Sequence, residues 1–353
     1  MPPHAPRDKS NELLPMLHVA ESGATTPAAS WFSGARLWRL ANAGGLLILI
    51  IALIAGIGIF IPSFLSPFNL FALTRNLAVD IIIGFSMMTV LGLGHMNLAV
   101  GAIGACAAMV TGFALERVGL PIPLAIIVAL LTGMVLGAIN GILIVRTGLH
   151  SFVITLATAS LYFGLMFILT KAEAFRNLPV DFSGLAKGRI GSFSNFLFVA
   201  LALAIGLVAL FNYSQLGRQM LATGANSVAA GLSGVPVNRI VVITHALSGL
   251  LAAIAGVLVT ARLASALPSI GEDWLLPSFL APLLGGTLLA GGYVSVVGAV
   301  LGAILLSVLQ NGLILMNVSG FWIQFFLGLA LLAAVGIDRW RSVTAERRGM
   351  VSR

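Results

Sequence analysis

The sequence predicts an all-α polytopic membrane protein with about ten transmembrane helices. Of its 353 residues, 59% are apolar and only 8% are charged, where an ordinary soluble domain carries roughly 25% charged residues. The apolar residues lie in runs of about 20, the length that the hydrocarbon core of a bilayer requires. The runs are continuous rather than alternating, which favours helices over a β-barrel. With 19 basic and 11 acidic side chains, the chain has too few charges to cover a soluble body of this length. A soluble enzyme, a disordered chain and a disulfide-stapled secreted domain are therefore excluded.

Residues 1–40 are polar, with scattered Pro, Ser and Thr. They lack the early apolar stretch of a secretory signal and read as a cytoplasmic tail, with a short amphipathic piece around Trp31–Trp38. A transmembrane domain follows over 41–338. Its apolar runs lie at about 43–61, 70–93, 98–115, 122–145, 150–170, 193–211, 240–262, 275–291, 294–316 and 320–337. Gly and Pro interrupt the runs at 70–93 and 275–291, which are expected to be broken or re-entrant. Residues 339–353 form a cytoplasmic C-terminal tail.

Two polar connections are longer than the rest. One is 171–191. The other, 212–239, is rich in Ala, Gly, Ser and Asn and is not greasy enough to span. Met220, Leu221, Ala225, Val228, Ala229 and Leu232 recur in it at roughly helical spacing. Asn226 can cap a helix and Pro236 can end one. The expectation is one short helix lying across the cytoplasmic face between two spans.

The basic residues set the orientation. If every run crosses and the N-terminus is cytoplasmic, the inner side holds Arg146, Arg218, Arg239 and the basic residues of both tails. The outer side holds Arg75, Arg117, Lys171, Arg176, Lys187, Arg189 and Arg262. The balance places both termini inside. The net charge of +8 serves orientation and headgroup contact, and no basic-aromatic patch points to nucleic acid.

An internal echo is present. Gly137-Ala-Ile-Asn140-Gly141-Ile-Leu-Ile resembles Val308-Leu-Gln-Asn311-Gly312-Leu-Ile-Leu at an offset of 171 residues. The two copies fall on spans of opposite direction, the relation of an inverted repeat.

The absent chemistry is informative. There is no phosphate-binding loop of the Gly-x-x-x-x-Gly-Lys-Ser/Thr type and no His-Glu-x-x-His metal motif. The five histidines are dispersed, none beside a carboxylate, and the single Cys106 cannot form an intramolecular disulfide. His245 with Ser248-Gly249 makes an intramembrane serine protease conceivable, but polar residues on helix faces more often bond a neighbouring helix. Among the acids only Asp80 lies clearly inside an apolar run. The expected role is a boundary residue paired with Arg75, with coupling to a proton or sodium ion as the alternative. Uncharged polar residues do occur at depth: His95, Asn97, Asn140, Thr155, Thr287 and Asn311. A path lined by hydroxyls and amides suits a neutral solute such as a sugar.

Several segments together resemble one family, the membrane-spanning permease subunits of ribose/xylose-type sugar ABC importers, which share a broader family with branched-chain amino acid permeases. The most specific segment is Gly217-Arg218-x-x-x-Ala222-x-Gly224-x-Asn226-x-x-Ala229-Ala230-x-x-Ser233-Gly234, similar to the family's cytoplasmic coupling loop. GGTLLAGGYVSVVGAVLGA from Gly285, Asn311-Gly312-Leu313, SGFWIQFFLG and FLSPFNL add to it. GLGHMNLAVGAIGA resembles the family's Gly-Gly-Ile-Asp-Leu-Ser-Val-Gly segment, with Asn97 in place of its Asp, Ala99 in place of its Ser, and His95 and Met96 off the pattern.

The resemblance implies a vitamin B12-importer-like permease fold in a bacterial inner membrane. Its expected partners are an ABC ATPase, a periplasmic or lipid-anchored solute-binding protein, a second permease copy or paralogue, and lipid. ATP and Mg would sit on the ATPase and no cofactor on this chain. Gly217, Arg218, Gly224, Asn226, Ala229, Ala230, Ser233 and Gly234 would couple to the ATPase. An ion-coupled carrier, an amino acid permease and a membrane enzyme using His95 or His245 are the alternatives.

Overall fold

The computed structural model describes the backbone of residues 28–347 and side chains from Gly44 onward to Leu332. Most of the expected N-terminal tail, and residues 348–353 of the C-terminal one, lie outside the described residues. Contacts divide the chain into Met1–Asn42 and Ala43–Arg353, and the second unit holds the helical bundle.

The described elements are almost entirely helical. They are α1 (Ala28–Phe60), α2 (Pro67–Leu91), α3 (Val100–Glu116), α4 (Ile122–Thr147), α5 (Ser151–Thr170), α6 (Val180–Gly184), α7 (Asn195–Tyr213), α8 (Gln215–Ala225), α9 (Ser227–Leu232), α10 (Val237–Leu263), α11 (Leu275–Leu284), α12 (Val296–Leu315) and α13 (Gly320–Arg347). A short antiparallel ribbon, β1 (Arg189–Ile190) with β2 (Phe193–Ser194), sits between α6 and α7. Each of the ten apolar runs overlaps one helix. Among the described residues α2, α4, α5, α7, α10 and α12 are long and apolar enough to cross a membrane. The apolar parts of α1, α3, α11 and α13 are shorter.

Three expectations need correction. The run at 70–93 is not broken: α2 is continuous across Gly84, which packs against Ala281 of α11 instead of interrupting the helix. The run at 275–291 does break, after Leu284. The segment 212–239 holds two helices rather than one. Asn226 leaves the helical region at φ −161° and ψ 102°, ends α8, and caps α9 by accepting from the Ala229 amide at 2.9 Å. Pro236 opens α10 instead of ending the helix before it.

α2 and α10 lie at the centre and are the most deeply buried of the long helices. Ser86 of α2 donates to the Ser248 carbonyl of α10 at 2.8 Å. After α2 the chain turns back into the bundle. Gly92 meets Gly224 of α8, His95 reaches His245, and Asn97 reaches Ser248. Then α3 starts at Val100. The chain does the same after α10. Ala266 bridges Phe175, Gly271 meets the backbone of Gly101, and Trp274 lies on Gly104, before α11 starts at Leu275. Each central helix is thus followed by a returning stretch and a shorter helix.

The 171-residue offset applies to more than one motif. Shifted by it, α2 would cover 238–262, and α10 covers Val237–Leu263. Shifted α4 would cover 293–318, and α12 covers Val296–Leu315.

The two outer seams differ. α4 lies directly on α10: Gly133, Gly137 and Gly141, one turn apart, meet Ala253, Gly249, His245 and Val242 with no room for a Cβ. Small residues at this spacing allow backbones to approach closely. α12 turns its own glycines elsewhere, Gly298 to Gly285 and Gly302 to Ala281. Across the α2–α12 seam stand polar contacts instead, Ser307 with Asp80 and Asn311 with Asn69.

Candidate functional site

The stretch 92–99 brings together three of the six expected path residues, His95, Asn97 and Thr155. Asn97 is fully buried. Its Nδ2 donates to Ser248 Oγ at 2.9 Å, and its Oδ1 accepts from the Ala99 amide at 3.1 Å. Thr155 of α5 is buried too, accepts from the Leu98 amide at 3.1 Å and donates to the Ser151 carbonyl at 2.7 Å. Ser151 Oγ accepts from the Met96 amide at 3.0 Å. A backbone turned back into a bundle loses its helical hydrogen bonds, and buried amides need partners. Asn97, Ser151 and Thr155 supply them.

His95 lies beside these residues and is partly exposed. Its Nδ1 stands 3.4 Å from Nε2 of the fully buried His245. Sequence spacing carries no sign of this pair, because 150 residues separate its members. His95 lines a cavity of about 550 Å³. The cavity is bounded by the ends of α4 and α8, the starts of α9 and α10, and Leu93. Thr223 Oγ1 of α8, part of the lining, is buried without a hydrogen-bond partner.

The other candidates lie apart. Asn140 of α4 accepts from the Tyr162 hydroxyl at 2.8 Å. Thr287 accepts from the Ser295 amide at 3.4 Å, inside the connection between α11 and α12. Asn311 forms a reciprocal amide pair with Asn69 at 2.9 and 3.1 Å.

The segment that resembles a coupling loop divides into an inner and an outer set. Gly217 lets α8 fold back against the Leu210 carbonyl of α7. Gly224 sits between Gly92 and Gly292, and the Gly292 amide donates to the Gly92 carbonyl at 2.9 Å. Gly94, Gly291 and Gly292 have φ of +71°, +86° and +78°, a region that L side chains rarely adopt. The end of α8 therefore touches both the turn after α2 and the turn before α12 through backbone atoms. Ala230 is buried. Arg218, Asn226, Ala229, Ser233 and Gly234 are exposed. Val228 at 71% and Leu232 at 86% exposure, which the sequence placed in the helical repeat of this segment but not among its coupling residues, are exposed too. They lie one turn apart on α9 and form an uncovered apolar face.

Asp80 departs from expectation. It does not pair with Arg75, whose guanidinium lies over the Phe71 ring at 5.2 Å. Five residues along a helix turn a side chain by about 140°, onto another face. Asp80 instead accepts from Ser307 Oγ of α12 at 2.6 Å.

A mostly helical body with this set of apolar helices is a multi-pass membrane protein. Residues 69–335 match the family described as branched-chain amino acid transport system / permease component, and the chain belongs to it. It is a transport subunit rather than an enzyme. The chain is 37% identical over 302 residues to the ribose import permease protein RbsC of Bacillus subtilis, covering 84% of this chain and 92% of that protein. It is 31% identical over 317 residues to the L-arabinose ABC transporter permease protein AraH of Azospirillum brasilense, covering 89% and 92%. It is 30% identical over 304 residues to the autoinducer 2 import system permease protein LsrC of Yersinia pseudotuberculosis, covering 86% of each. No solved structure matches the chain.

Proposed function

We propose that this chain is the permease subunit of an ABC importer that moves a sugar or sugar-like solute inward by alternating access. A separate ATPase binds ATP and Mg and drives the cycle, while this chain binds no cofactor of its own. A periplasmic or lipid-anchored binding protein delivers the solute, and a second permease, a copy or a paralogue, completes the path. The chain sits in a bacterial inner membrane with both termini cytoplasmic and ten spans in a vitamin B12-importer-like fold. The helix-for-helix offset of 171 residues between α2 and α10 and between α4 and α12 supports an inverted repeat within it.

The observation that carries the reading is the build of α8 and α9. Outside, α9 offers Val228 and Leu232 to an apolar groove of a partner. Inside, α8 touches the turns at Gly92 and Gly292 without intervening side chains. A push on the outer face reaches both turns, and through 92–99 it reaches His95 at the wall of the cavity.

Co-purification of the full chain with a cognate ABC ATPase tests the reading. The wild-type pair stays together in detergent. Val228→Asp with Leu232→Asp dissociates it, because two charges replace buried apolar contacts, while the chain itself keeps its thermal stability. An intact complex in this variant sinks the docking assignment. Uptake that follows the proton gradient and ignores ATP sinks the importer reading itself.

A further inference from the structure

Asp80 lies about 20 Å along α2 from Pro67, at 1.5 Å of rise per residue. That is near the middle of a helix long enough to cross. Val79 and Ile81 beside it are buried, while Asp80 itself is partly exposed. One turn nearer the start of α2, Asn76 is exposed and accepts from the guanidinium of Arg262 at the end of α10. Arg262 is close enough for its charge to act on the Asp80 carboxylate. Three helices therefore bring a carboxylate, a carboxamide, a guanidinium and the Ser307 hydroxyl together around the first half of α2.

A charged acid at this depth is costly, and its persistence in a span points to a function. Structural bridging does not require it. Farther along the same seam, toward the start of α2, the neutral Asn69–Asn311 pair joins the two helices with two hydrogen bonds. A carboxylate offers about four acceptor positions. Among the described residues only the Ser307 hydroxyl uses one, on Oδ2. Oδ1 is left without a donor, on a residue that the seam leaves partly exposed. The corresponding seam between α4 and α10 is closed by glycine contacts and has no such opening. Arg75, Arg262, Asp80 and Asp273 lie close enough to act on one another and sum to zero formal charge, which suits a neutral solute better than an ion.

We propose that Asp80, Asn76 and Arg262 form a solute-binding site within the span, in which Asp80 Oδ1 accepts from a hydroxyl of a neutral polyhydroxylated solute. The proposal rests on the sugar-importer reading and adds the residues that select the cargo. Ser307 is a positioning residue that holds the carboxylate through Oδ2.

The test uses the complete complex of permease, ATPase and binding protein in proteoliposomes. ATP-driven uptake is measured for D-ribose, L-arabinose, D-xylose and D-galactose and for the monodeoxy analogues of each sugar that is transported. Asp80→Asn is isosteric and keeps an acceptor for Ser307. The expected result is a rise in KM of roughly ten- to a hundredfold, the worth of one hydrogen bond to a charged group, with the complex still assembled. For one monodeoxy analogue the wild type is expected to lose the same factor and Asp80→Asn no more, so that discrimination by that hydroxyl collapses in the variant. Wild-type KM values in Asp80→Asn, or an equal loss for the sugar and every analogue, overturn the site while leaving the importer reading intact. An assembled wild-type complex that hydrolyses ATP yet moves none of these sugars overturns the sugar reading and this site with it. Uptake driven by a proton gradient without ATP, and abolished by Asp80→Asn, assigns Asp80 to ion coupling and overturns the proposal.

Discussion

Asn97 holds together the stretch that turns back between α2 and α3. Its side chain replaces a helical hydrogen bond at the Ala99 amide and ties the stretch to Ser248 of α10. Interhelical hydrogen bonds in membranes average only about 0.6 kcal/mol, so loss of the Ser248 contact alone is a small effect. Asn97→Leu does more, because it also leaves the buried Ala99 amide without an acceptor. It is expected to cost about 1–3 kcal/mol, read as a lowered unfolding midpoint in detergent. Ser248→Ala, which leaves that amide satisfied, is expected to cost less. Equal shifts for the two variants would show that the Ala99 contact contributes nothing. The importance of a polar residue near Gly92 and Gly94 is legible in the sequence, since glycines beside an amide inside an apolar run mark a break. The partner is not legible: Ser248 lies 151 residues away. The same limit hid the His95–His245 pair. It also misassigned Asp80, where the nearest opposite charge in sequence lies on the wrong face of the helix.

Helices were easier to foresee than their contacts, because a bilayer selects for long apolar runs whatever those runs pack against. The ten runs each became a helix, with ends within a few residues for most of them. Glycine carried two opposite meanings that composition does not separate. In α4 it is a packing surface. A Cβ at Gly137 would overlap the His245 carbonyl and crowd Gly249 of α10. At Gly164 of α5 a Cβ meets nothing within 4 Å. Gly137→Ala is therefore expected to force α4 from α10 and to destabilise by about 1–3 kcal/mol, the range for overpacking. Gly164→Ala is expected to be neutral or to stabilise by up to about 1 kcal/mol through helix propensity. Thermal unfolding of both variants checks this. A neutral Gly137→Ala would mean that the seam can open at little cost. The single helix expected over 212–239 became two because Asn226 caps more favourably than it continues a helix. That signal was present in the sequence as a helix start, and it also marks the end of α8.

At the scale of the whole molecule, one end carries the α8–α9 connection and the other carries the starts of α2 and α4 and the ends of α10 and α12. Arg146, Arg218 and Arg239 belong to the first end, while Arg75, Arg117 and Arg262 belong to the second. An excess of basic residues marks the cytoplasmic side, and thiol labelling measures sidedness directly. Cys106 makes this simple, because it is the chain's only cysteine. Its replacement by Ser leaves a silent background in which Leu232→Cys and Val118→Cys each place one thiol at an exposed position of opposite ends. A membrane-impermeant maleimide is expected to label Leu232→Cys in inverted vesicles and not in right-side-out ones. Val118→Cys is expected to show the reverse. Labelling of both from the same face would contradict the bundle itself, since α4 runs from the connection that holds Val118 to the cavity beside the start of α9. Labelling with the two faces exchanged would keep the bundle and put α9 out of reach of a cytoplasmic ATPase, so the face that α9 presents decides whether nucleotide energy can enter the permease there at all.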